Sequence, residues 1–588
     1  MGQDEGSDQK SAGWQICRQS LHPLFALVAG VSLLALIGWL GEVPIWLHWI
    51  TTLTGLIFAL ERGWSFWSEH PPGQERRRLT LRAVLAVVVF GVSLMLLFQP
   101  FSNLGKWSFA AHLFVLIAAL ISGLALMISH QTRFTARAFH PGLVLILSFL
   151  GMILIGMLLL KMPRCTVPGQ VCSWMDALFT STSAICVTGL AVHNTATFFT
   201  TTGQVIILLL IQVGGLGIMT LTFFAAVVLF EGLSLHDRLL LGKMIQENRL
   251  ARVGQTLTFI IAMTLACEGV GALILFLSMD GIPDLSTRAY HAVFHSVSAF
   301  CNAGFSTLPD GLASQVVEGN RIWQIMIMLL IVVGGLGALV NEDLTFWSIA
   351  KIKRRISKEG PHPRLRVHTR LVLVVTAFLI LSGAALIYSS EFILENGPQN
   401  GGKVITAFFH SVTARTAGFN SVPMSEIGLL TAQFLMILMV IGGSPGGTAG
   451  GLRTTVAAVG LAHLWTQLRM GRRGMLFFNR TISAETGSQA LGLIFLTGIW
   501  LTVNFIILQM LEAGSGISGT HLLFELISAF ATVGLSLDLT STLGEGAKTL
   551  LIVNMFVGRI GLLTVMATLI KQDSRPPSGK PEENILLT

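Results

Sequence analysis

Long apolar stretches separated by short polar segments recur along almost the whole chain. A run of about 20 apolar residues is long enough to cross a bilayer as a helix. Residues 1–20 are polar and show no signal-peptide pattern, so the first helix is expected to be retained. The pattern predicts an all-α polytopic membrane protein. Twelve stretches are candidate spans, near residues 24–40, 44–60, 80–98, 108–128, 142–160, 204–230, 256–278, 322–340, 371–390, 432–455, 489–511 and 549–570.

A shorter pattern occurs four times on top of the apolar one. It reads Phe, then Ser or Thr at alternate positions in most copies, then Ala, with a Gly four or five positions after the Ala. The copies cover residues 179–189, 294–304, 409–418 and 524–534, and their glycines are 115, 114 and 116 residues apart. A period this regular indicates one unit used four times. Four equivalent glycine-centred loops suggest a ring around an ion.

The repeat predicts the organisation of the chain. Each unit should contain a membrane helix, an outer loop, a half-helix too short to span, the glycine and a second helix. Irregular backbone at membrane depth is tolerated where it is buried or lines water, a condition that a re-entrant pore loop meets. The predicted units are 141–235, 236–350, 351–470 and 471–575. They follow an extension, 1–140, with four apolar helices and no pore-type pattern, and they precede a tail, 576–588.

Charge then predicts how the chain is oriented. Only 12% of residues are charged, against roughly 25% in soluble proteins. The net charge of +8 comes from basic clusters at 76–78, 351–370, 469–480 and 571–580, and the alternate loops are richer in carboxylates. The positive-inside rule therefore places both termini in the cytoplasm and the four patterned loops outside. We interpret the positive charge as a topology signal in a plasma-membrane (inner-membrane) protein, with lipid rather than nucleic acid as its surroundings.

The glycine loops fit the chemistry of a cation filter. A dehydrated cation needs oxygen dipoles in place of its water shell, and rings of backbone carbonyls supply them. Glycine lets the backbone turn because a positive φ costs it little, and the carboxyl termini of the half-helices would favour a cation. The alternative is that these small residues mark helix-packing faces, where Gly and Ser are enriched in membrane proteins. The occurrence of four such loops in phase argues against that alternative. The candidate filter residues, which would bind the cation, are Val187, Thr188, Gly189, Asn302, Ala303, Gly304, Thr416, Ala417, Gly418, Thr532, Val533 and Gly534.

The second helices carry a further glycine repeat that is longest in the third unit. Six glycines and a proline within residues 442–451 cannot sustain a helix. The tract predicts either a movable segment that closes the pathway or a passive kink. It is not a phosphate loop, because no Gly-Lys-Ser/Thr follows and it lies in an apolar span. The candidate gate residues are Gly442, Gly443, Ser444, Pro445, Gly446, Gly447, Thr448 and Arg559.

Several polar residues leave alternatives open. Arg559 is the one Arg or Lys within 549–570, and a cation in a membrane helix faces a cavity or a partner. It could otherwise snorkel or pair with a buried carboxylate. Cys165 and Cys172 share one predicted outer loop and could form a disulfide or remain two free thiols. No catalytic constellation is present in the sequence, so no enzyme activity is predicted.

The four glycine stretches, the tract at 442–451 and Arg559 together resemble the Trk/Ktr/HKT superfamily of potassium transporters, especially the bacterial Ktr and Trk membrane subunits. The stretches are Val187-Thr-Gly-Leu190, Asn302-Ala-Gly-Phe305, Thr416-Ala-Gly-Phe419 and Thr532-Val-Gly-Leu535, and the resemblance covers about 141–570. In that family one glycine per repeat sets the filter, and four glycines go with potassium selectivity. The resemblance also implies an intramembrane gating loop at 442–451, with Arg559 just below the filter as a barrier or latch.

Two functions follow, from different mechanistic classes. The first is channel-like potassium uptake driven by the membrane potential, worth about 2.3 kcal/mol per 100 mV for each charge. The alternative is a secondary cation symporter with alternating access, although such folds usually show inverted repeats and these are parallel. The resemblance further implies a homodimer and a cytoplasmic nucleotide-binding regulatory ring (RCK type) on the basic inner loops. It implies no cofactor in this chain, potassium as substrate, and leaves open whether sodium stimulates uptake.

Overall fold

The structure is a computed structural model that describes residues 141–217, 253–279, 281–314, 319–357, 364–391, 403–469, 475–478 and 480–569. Of the other residues it describes 49–56, 89, 92–93 and 317. The predicted four helices of the extension 1–140 and the tail 576–588 therefore lie outside the described residues, apart from those short pieces.

The described helices repeat in the order first helix, half-helix, second helix. The first unit has α1 (Pro141–Leu160), α2 (Trp174–Ile185), the short α3 (Thr195–Phe198) and α4 (Thr201–Leu216). The second has α5 (Val253–Ser278), α6 (Leu285–Phe300), α7 (Arg321–Leu336) and α8 (Ala338–Ser357). The third has α9 (Val367–Ser389), α10 (Lys403–Thr413), α11 (Leu429–Val440) and α12 (Thr454–Leu468). The fourth has α13 (Ala484–Leu511), α14 (Gly519–Phe530), α15 (Glu545–Ile560) and α16 (Leu562–Leu569).

The half-helices α2, α6, α10 and α14 are 12, 16, 11 and 12 residues long, shorter than the roughly 20 residues that a span needs. Two of them begin at a capping side chain: Ser173 accepts from the amide of Asp176, and Asp284 accepts from that of Thr287. The phenylalanine that opens each pattern, residue 179, 294, 409 or 524, is fully buried. This aromatic ring anchors the carboxyl-terminal part of the half-helix in the core.

Neighbouring units interlock into a closed ring. Each second helix packs against the half-helix of the following unit: α4 on α6, α7 on α10 and α11 on α14. The last second helix, α15, packs back on the first half-helix, α2. An ion pair crosses this closing junction, with Lys548 Nζ 3.4 Å from Asp176 Oδ1. The four carboxyl ends of the half-helices consequently meet in one place.

Two predicted spans are not continuous helices. The span at 322–340 breaks at Gly337, and α7 and α8 are bent by 104°. The span at 549–570 breaks at Gly561 between α15 and α16. Both glycines end a helix with a positive φ, 87° and 96°, which turns the backbone out of the helical path. In the described part of the chain three helices are long and apolar enough to cross a membrane, or four if α7 and α8 count as one.

The predicted interruption in the third unit is present. Helix α11 ends at Val440, residues 441–453 are not helical, and α12 begins at Thr454. A short antiparallel ribbon, β1 (Met475–Phe477) with β2 (Arg480–Ile482), then connects α12 to α13. This ribbon was not predicted from the sequence, because strands of three residues are too short to show an alternation of apolar and polar residues.

Candidate functional site

The first hydroxyl of each Phe-to-Gly pattern ties the half-helix to the first helix of its unit. Ser181 Oγ donates to the carbonyl of Ile153 at 2.7 Å, and Ser296 Oγ donates to that of Glu268 at 2.6 Å. In the third unit Ser411 Oγ donates to the carbonyl of Ile380 at 2.8 Å. The fourth unit has the buried Leu526 at this position. The hydroxyl therefore fixes the half-helix in three units and apolar packing replaces it in one.

The second hydroxyl of the pattern holds the glycine loop. Gly189 N donates to Ser183 Oγ at 3.0 Å, and Gly534 N donates to Ser528 Oγ at 3.0 Å. In the two middle units the hydroxyl is the donor. Ser298 Oγ donates to the carbonyl of Phe305 at 2.8 Å, and Thr413 Oγ1 donates to that of Phe419 at 2.7 Å. The pattern thus encodes a side-chain support for each loop, as its Ser and Thr content suggests.

Two positions in each loop have a positive φ angle. The first is the residue two before the glycine, and the second is the glycine itself, with φ of 95°, 70°, 76° and 92° in units one to four. Left-handed backbone at a non-glycine residue costs of order 1–3 kcal/mol and persists where its surroundings enforce it. Strain at four equivalent positions indicates that one loop conformation is required throughout. The non-glycine residues are Val187 (56°), Asn302 (60°), Thr416 (70°) and Thr532 (50°).

The four glycines Gly189, Gly304, Gly418 and Gly534 lie side by side in a closed cycle. A Cβ atom added to each one in turn would lie 3.2, 3.0, 3.1 and 3.0 Å from the Cα of the next, the last returning to Gly189. Each such Cβ would also meet the carbonyl oxygen that precedes the next glycine. A side chain therefore does not fit at any of the four positions, and four carbonyl oxygens approach the ring. Those oxygens belong to Ala303, Ala417, Val533 and Thr188.

All twelve candidate filter residues are gathered in this ring. The eight that are not glycine are buried, and the glycines are partly exposed. The hydroxyls of Thr188, Thr416 and Thr532 are buried without a hydrogen-bond partner among the described residues. The oxygen-rich, tightly wound backbone is what a site for a dehydrated cation requires.

The two ends of the tract 442–451, which contains the candidate gate residues 442–448, lie against this ring. A Cβ on Gly442 would lie 3.4 Å from Thr416 Cγ2, and one on Gly451 would lie 3.1 Å from the Cα of Ala531. The two ends of the loop are joined, since Gly442 N donates to the carbonyl of Leu452 at 2.9 Å. The loop is therefore closed at its base and packs on the third and fourth filter stretches.

Arg559 connects this loop to the first unit. It donates from Nη1 to the carbonyl of Thr448 and from Nη2 to that of Gly214 at 2.6 Å. Both partners are main-chain oxygens, so the alternative of a pair with a buried carboxylate does not hold for these contacts. The cation lies in the interior, as expected for a charge in a membrane helix.

Comparison with known proteins decides the family. The TrkH family profile, described as a cation transport protein, matches residues 108–576. The chain belongs to the TrkH family. It is similar to the Ktr system potassium uptake protein B of Vibrio alginolyticus, 36% identical over 78% of this chain and 96% of that one. It is also similar to the potassium/sodium uptake protein NtpJ of Enterococcus hirae, 33% identical over 77% of this chain and 98% of that one.

A solved structure agrees on the fold. The potassium transporter TrkH of Vibrio parahaemolyticus superposes with a TM-score of 0.58 at 17% identity, covering 89% of this chain and 98% of that one. The predicted all-α polytopic fold is confirmed, and this TrkH-family chain is a multi-pass membrane protein. The family is one of transporters and not an enzyme class.

Sequence reasoning missed a second arginine at the site. Arg453 Nη1 donates to the carbonyl of Ala449 at 2.7 Å and to that of Ser444 at 3.3 Å, so it connects two points of the loop at 442–451. A signal was available, because Arg453 lies inside the predicted span 432–455, where a cation marks a functional contact. Two arginines, not one, hold the loop in this member of the TrkH family.

In the second, third and fourth units, the residue after the pattern phenylalanine forms a hydrogen bond with the chain beyond the glycine. His295 Nε2 lies 2.9 Å from Ser306 Oγ, and His410 Nε2 lies 3.3 Å from Ser421 Oγ. Glu525 takes the equivalent place in the fourth unit and accepts from Ser536. These buried polar residues therefore have a local hydrogen-bonding role in the structure.

Several other buried polar side chains have partners outside the four glycine stretches or no partner in a disulfide. Arg415 is buried behind the third stretch, with Nη2 3.5 Å from Thr376 Oγ1. Glu268 accepts from Gln212 Nε2 at 3.2 Å, between the first and second units. Cys165 and Cys172 are free, buried thiols, so the disulfide alternative is not realised in this structure.

Proposed function

We propose that this TrkH-family protein conducts potassium selectively into the cell, in a channel-like manner, through the ring of residues 187–189, 302–304, 416–418 and 532–534. The closed cycle of four glycines and four approaching carbonyl oxygens carries the proposal. The names of the two relatives, a potassium and a potassium/sodium uptake protein, support the choice of ion. Sodium is proposed as a competing or stimulating ion and not as the favoured substrate.

The electrostatics of the ring favour a cation over an anion. The four half-helices end at residues 185, 300, 413 and 530, immediately before the glycine loops. A helix carries roughly half a negative charge at its carboxyl end, so four such ends lower the energy of a positive ion at the ring. The membrane potential then supplies the driving force, about 2.3 kcal/mol per 100 mV for each charge.

The test replaces one glycine of the ring. Gly189→Ser puts a side chain against the carbonyl of Ala303, whereas Gly169→Ser makes the same change at a glycine of similar φ, 90° against 95°, with nothing within 4 Å. In proteoliposomes containing the full chain, Gly189→Ser should let sodium compete with potassium and Gly169→Ser should not. An unchanged potassium-to-sodium ratio in well-folded Gly189→Ser would remove the filter assignment.

The loop at 442–451, with Arg559, is proposed as the gate of this pathway. Its contacts with the filter stretches and the two arginines that brace it support a segment able to obstruct the route. Deleting Gly443 to Gly447 should raise potassium flux through a folded protein. Unchanged or abolished flux in a monodisperse deletion variant would argue for the passive-kink alternative.

An alternating-access symporter remains the alternative mechanism. The cyclic packing of second helices on half-helices supports a single central route, because it gives four equivalent walls instead of two halves that rock. Flux that stays proportional to the potassium gradient favours the channel-like mechanism. Obligatory coupling to a second ion would favour the symporter.

Partners are proposed from the relatives and from the exposed basic end of α8. One relative is named as protein B of a Ktr system, which fits a membrane subunit with a further component. Lys351, Lys353 and Arg355 are exposed on α8, where a cytoplasmic nucleotide-binding regulatory ring could dock. A homodimer in the inner membrane, with both termini in the cytoplasm, completes the proposal. Light scattering of the detergent-solubilised chain tests the dimer.

A further inference from the structure

The break between α7 and α8 in the second unit makes an unusual set of main-chain contacts. Residues 334–338, here called the cradle, form three backbone hydrogen bonds with the gate loop. Ser444 N donates to the carbonyl of Gly335 at 3.1 Å, and Thr448 N donates to that of Gly334 at 3.4 Å. In return Ala338 N donates to the carbonyl of Gly446 at 3.1 Å.

We propose that the cradle is the receptor that holds the gate loop in its closed position, so that the gate consists of a moving part in the third unit and a seat in the second. This rests on the proposed role of the loop as a gate. Nothing in the repeat pattern assigns the second unit such a role. The inference comes from its contacts with the loop.

The cradle can accept hydrogen bonds from the gate loop because helix α7 ends there. The last carbonyls of a helix have no partner within the helix and must be satisfied from elsewhere. The Val333 carbonyl accepts from Asn341 Nδ2 at 2.9 Å, within the second unit. The next two, those of Gly334 and Gly335, accept from the loop. Lifting the loop would leave both carbonyls unpaired until water reached them, which biases the loop toward its seat.

Close glycine packing makes the seat specific. A Cβ on Gly337 would lie 2.8 Å from the carbonyl oxygen of Pro445 and 3.0 Å from Gly447 N. From the other side, a Cβ on Gly447 would lie 2.9 Å from the carbonyl oxygen of Gly335. Main chain therefore touches main chain on both sides, and one added methyl group would push the loop away.

The fourth unit supplies an internal comparison. Gly561 ends α15 as Gly337 ends α7, with φ of 96° against 87°. A Cβ on Gly561 would meet nothing closer than Thr564 Oγ1 at 3.9 Å. The two glycines thus share a conformation that any substitution strains, and they differ in whether the gate loop lies against them. Comparing the two glycines therefore separates the effect of contact with the gate loop from the effect of the positive φ that both glycines share.

The experiment measures potassium flux into proteoliposomes containing the full chain, comparing Gly337→Ala with Gly561→Ala. Loss of one loop hydrogen bond shifts a closed-to-open ratio by about fivefold, so Gly337→Ala should raise flux by at least that factor over Gly561→Ala. Equal flux in the two folded variants overturns the cradle. If the deletion of Gly443 to Gly447 still raises flux in that case, the loop is a gate but the cradle does not hold it. If the deletion does not raise flux, the proposal that the loop is a gate is also wrong.

A second variant covers the case in which Gly337→Ala does not fold. Ala338 is the first residue of α8, a position that accepts proline because its amide needs no helical partner. Ala338→Pro removes the one donor to Gly446 and leaves the helix start intact. Raised flux supports the cradle, and flux equal to that of the parent protein overturns it.

Discussion

The contact between a first helix and its half-helix gives a quantitative prediction. Gly383 in α9 is buried against Ser411, the first hydroxyl of the third pattern, and a Cβ there would overlap Ser411 Oγ and lie 2.8 Å from Leu438 Cδ1. Gly498 stands in α13, 26 residues before its pattern phenylalanine just as Gly383 does, and has nothing within 4 Å. The pair isolates packing from helix propensity.

The two alanine variants should change stability in opposite directions. Replacing glycine by alanine inside a helix gains about 1 kcal/mol in both cases. For Gly383→Ala this gain is outweighed by overpacking, about 1–3 kcal/mol, and by loss of the Ser411 hydrogen bond, about 1 kcal/mol. We expect Gly383→Ala to be less stable than the parent by about 1–3 kcal/mol, and Gly498→Ala to be unchanged or up to about 1 kcal/mol more stable.

The assay follows the half-life of the monodisperse protein in detergent at one elevated temperature, by size-exclusion chromatography. The two variants should differ by about fivefold or more in half-life, since about 1 kcal/mol corresponds to a factor of about five and these packing contacts are lost on unfolding. Adding Ser411→Ala to Gly383→Ala removes the overlapping hydroxyl and should recover part of the loss. If Gly383→Ala lasts as long as Gly498→Ala, the first helix does not pack on the half-helix as described.

Three further predictions concern Ser183, Asp176 and Cys172. Ser183→Ala leaves the partly buried amide of Gly189 without its acceptor, a cost of about 1 kcal/mol, and should lower the potassium-to-sodium flux ratio in proteoliposomes, whereas Ser183→Thr should preserve it. Partial burial raises the pKa of Asp176, but hydrogen bonds and the nearby Lys548 lower it by more. Asp176→Asn should therefore reduce thermal stability at neutral pH, and the difference from the parent should disappear as pH falls through that lowered pKa. Burial raises the pKa of the Cys172 thiol to about 11, so maleimide labelling at neutral pH should be slow until the protein is unfolded.

Much of the architecture follows from periodicity alone. The recurrence of the glycines at 115, 114 and 116 residues predicts equivalent loops, and equivalent loops in one chain can meet only around a common centre. The half-helices and the gathering of the candidate filter residues follow from that argument, and the break in the third unit follows from the six glycines and the proline of residues 442–451. The breaks at Gly337 and Gly561 do not follow from it. An apolar run predicts one continuous helix even where a single glycine with a positive φ ends that helix.

The conformation of the loops was beyond sequence reasoning. Val187, Thr416 and Thr532 are β-branched, a residue type that avoids positive φ, so local propensity argues against the conformation that they adopt. Their surroundings enforce it through the second pattern hydroxyl and through packing against the next unit. Contacts between the loop at 442–451 and the cradle were equally hidden, since they join main-chain atoms and leave no mark on side-chain chemistry.

The four units are alike at the ring and differ around it. The glycines, a hydroxyl that supports each loop and a strained residue recur in every unit. The units differ in the half-helix, where Leu526 replaces a hydroxyl in the fourth unit, and at the end of the second helix, where residues 334–338, the loop at 442–451 and Arg559 make different contacts. A symmetric filter needs equal contributions from its units, whereas a gate needs a part that moves against parts that do not. If the proposed function holds, duplication supplies the first property and divergence at the helix ends supplies the second.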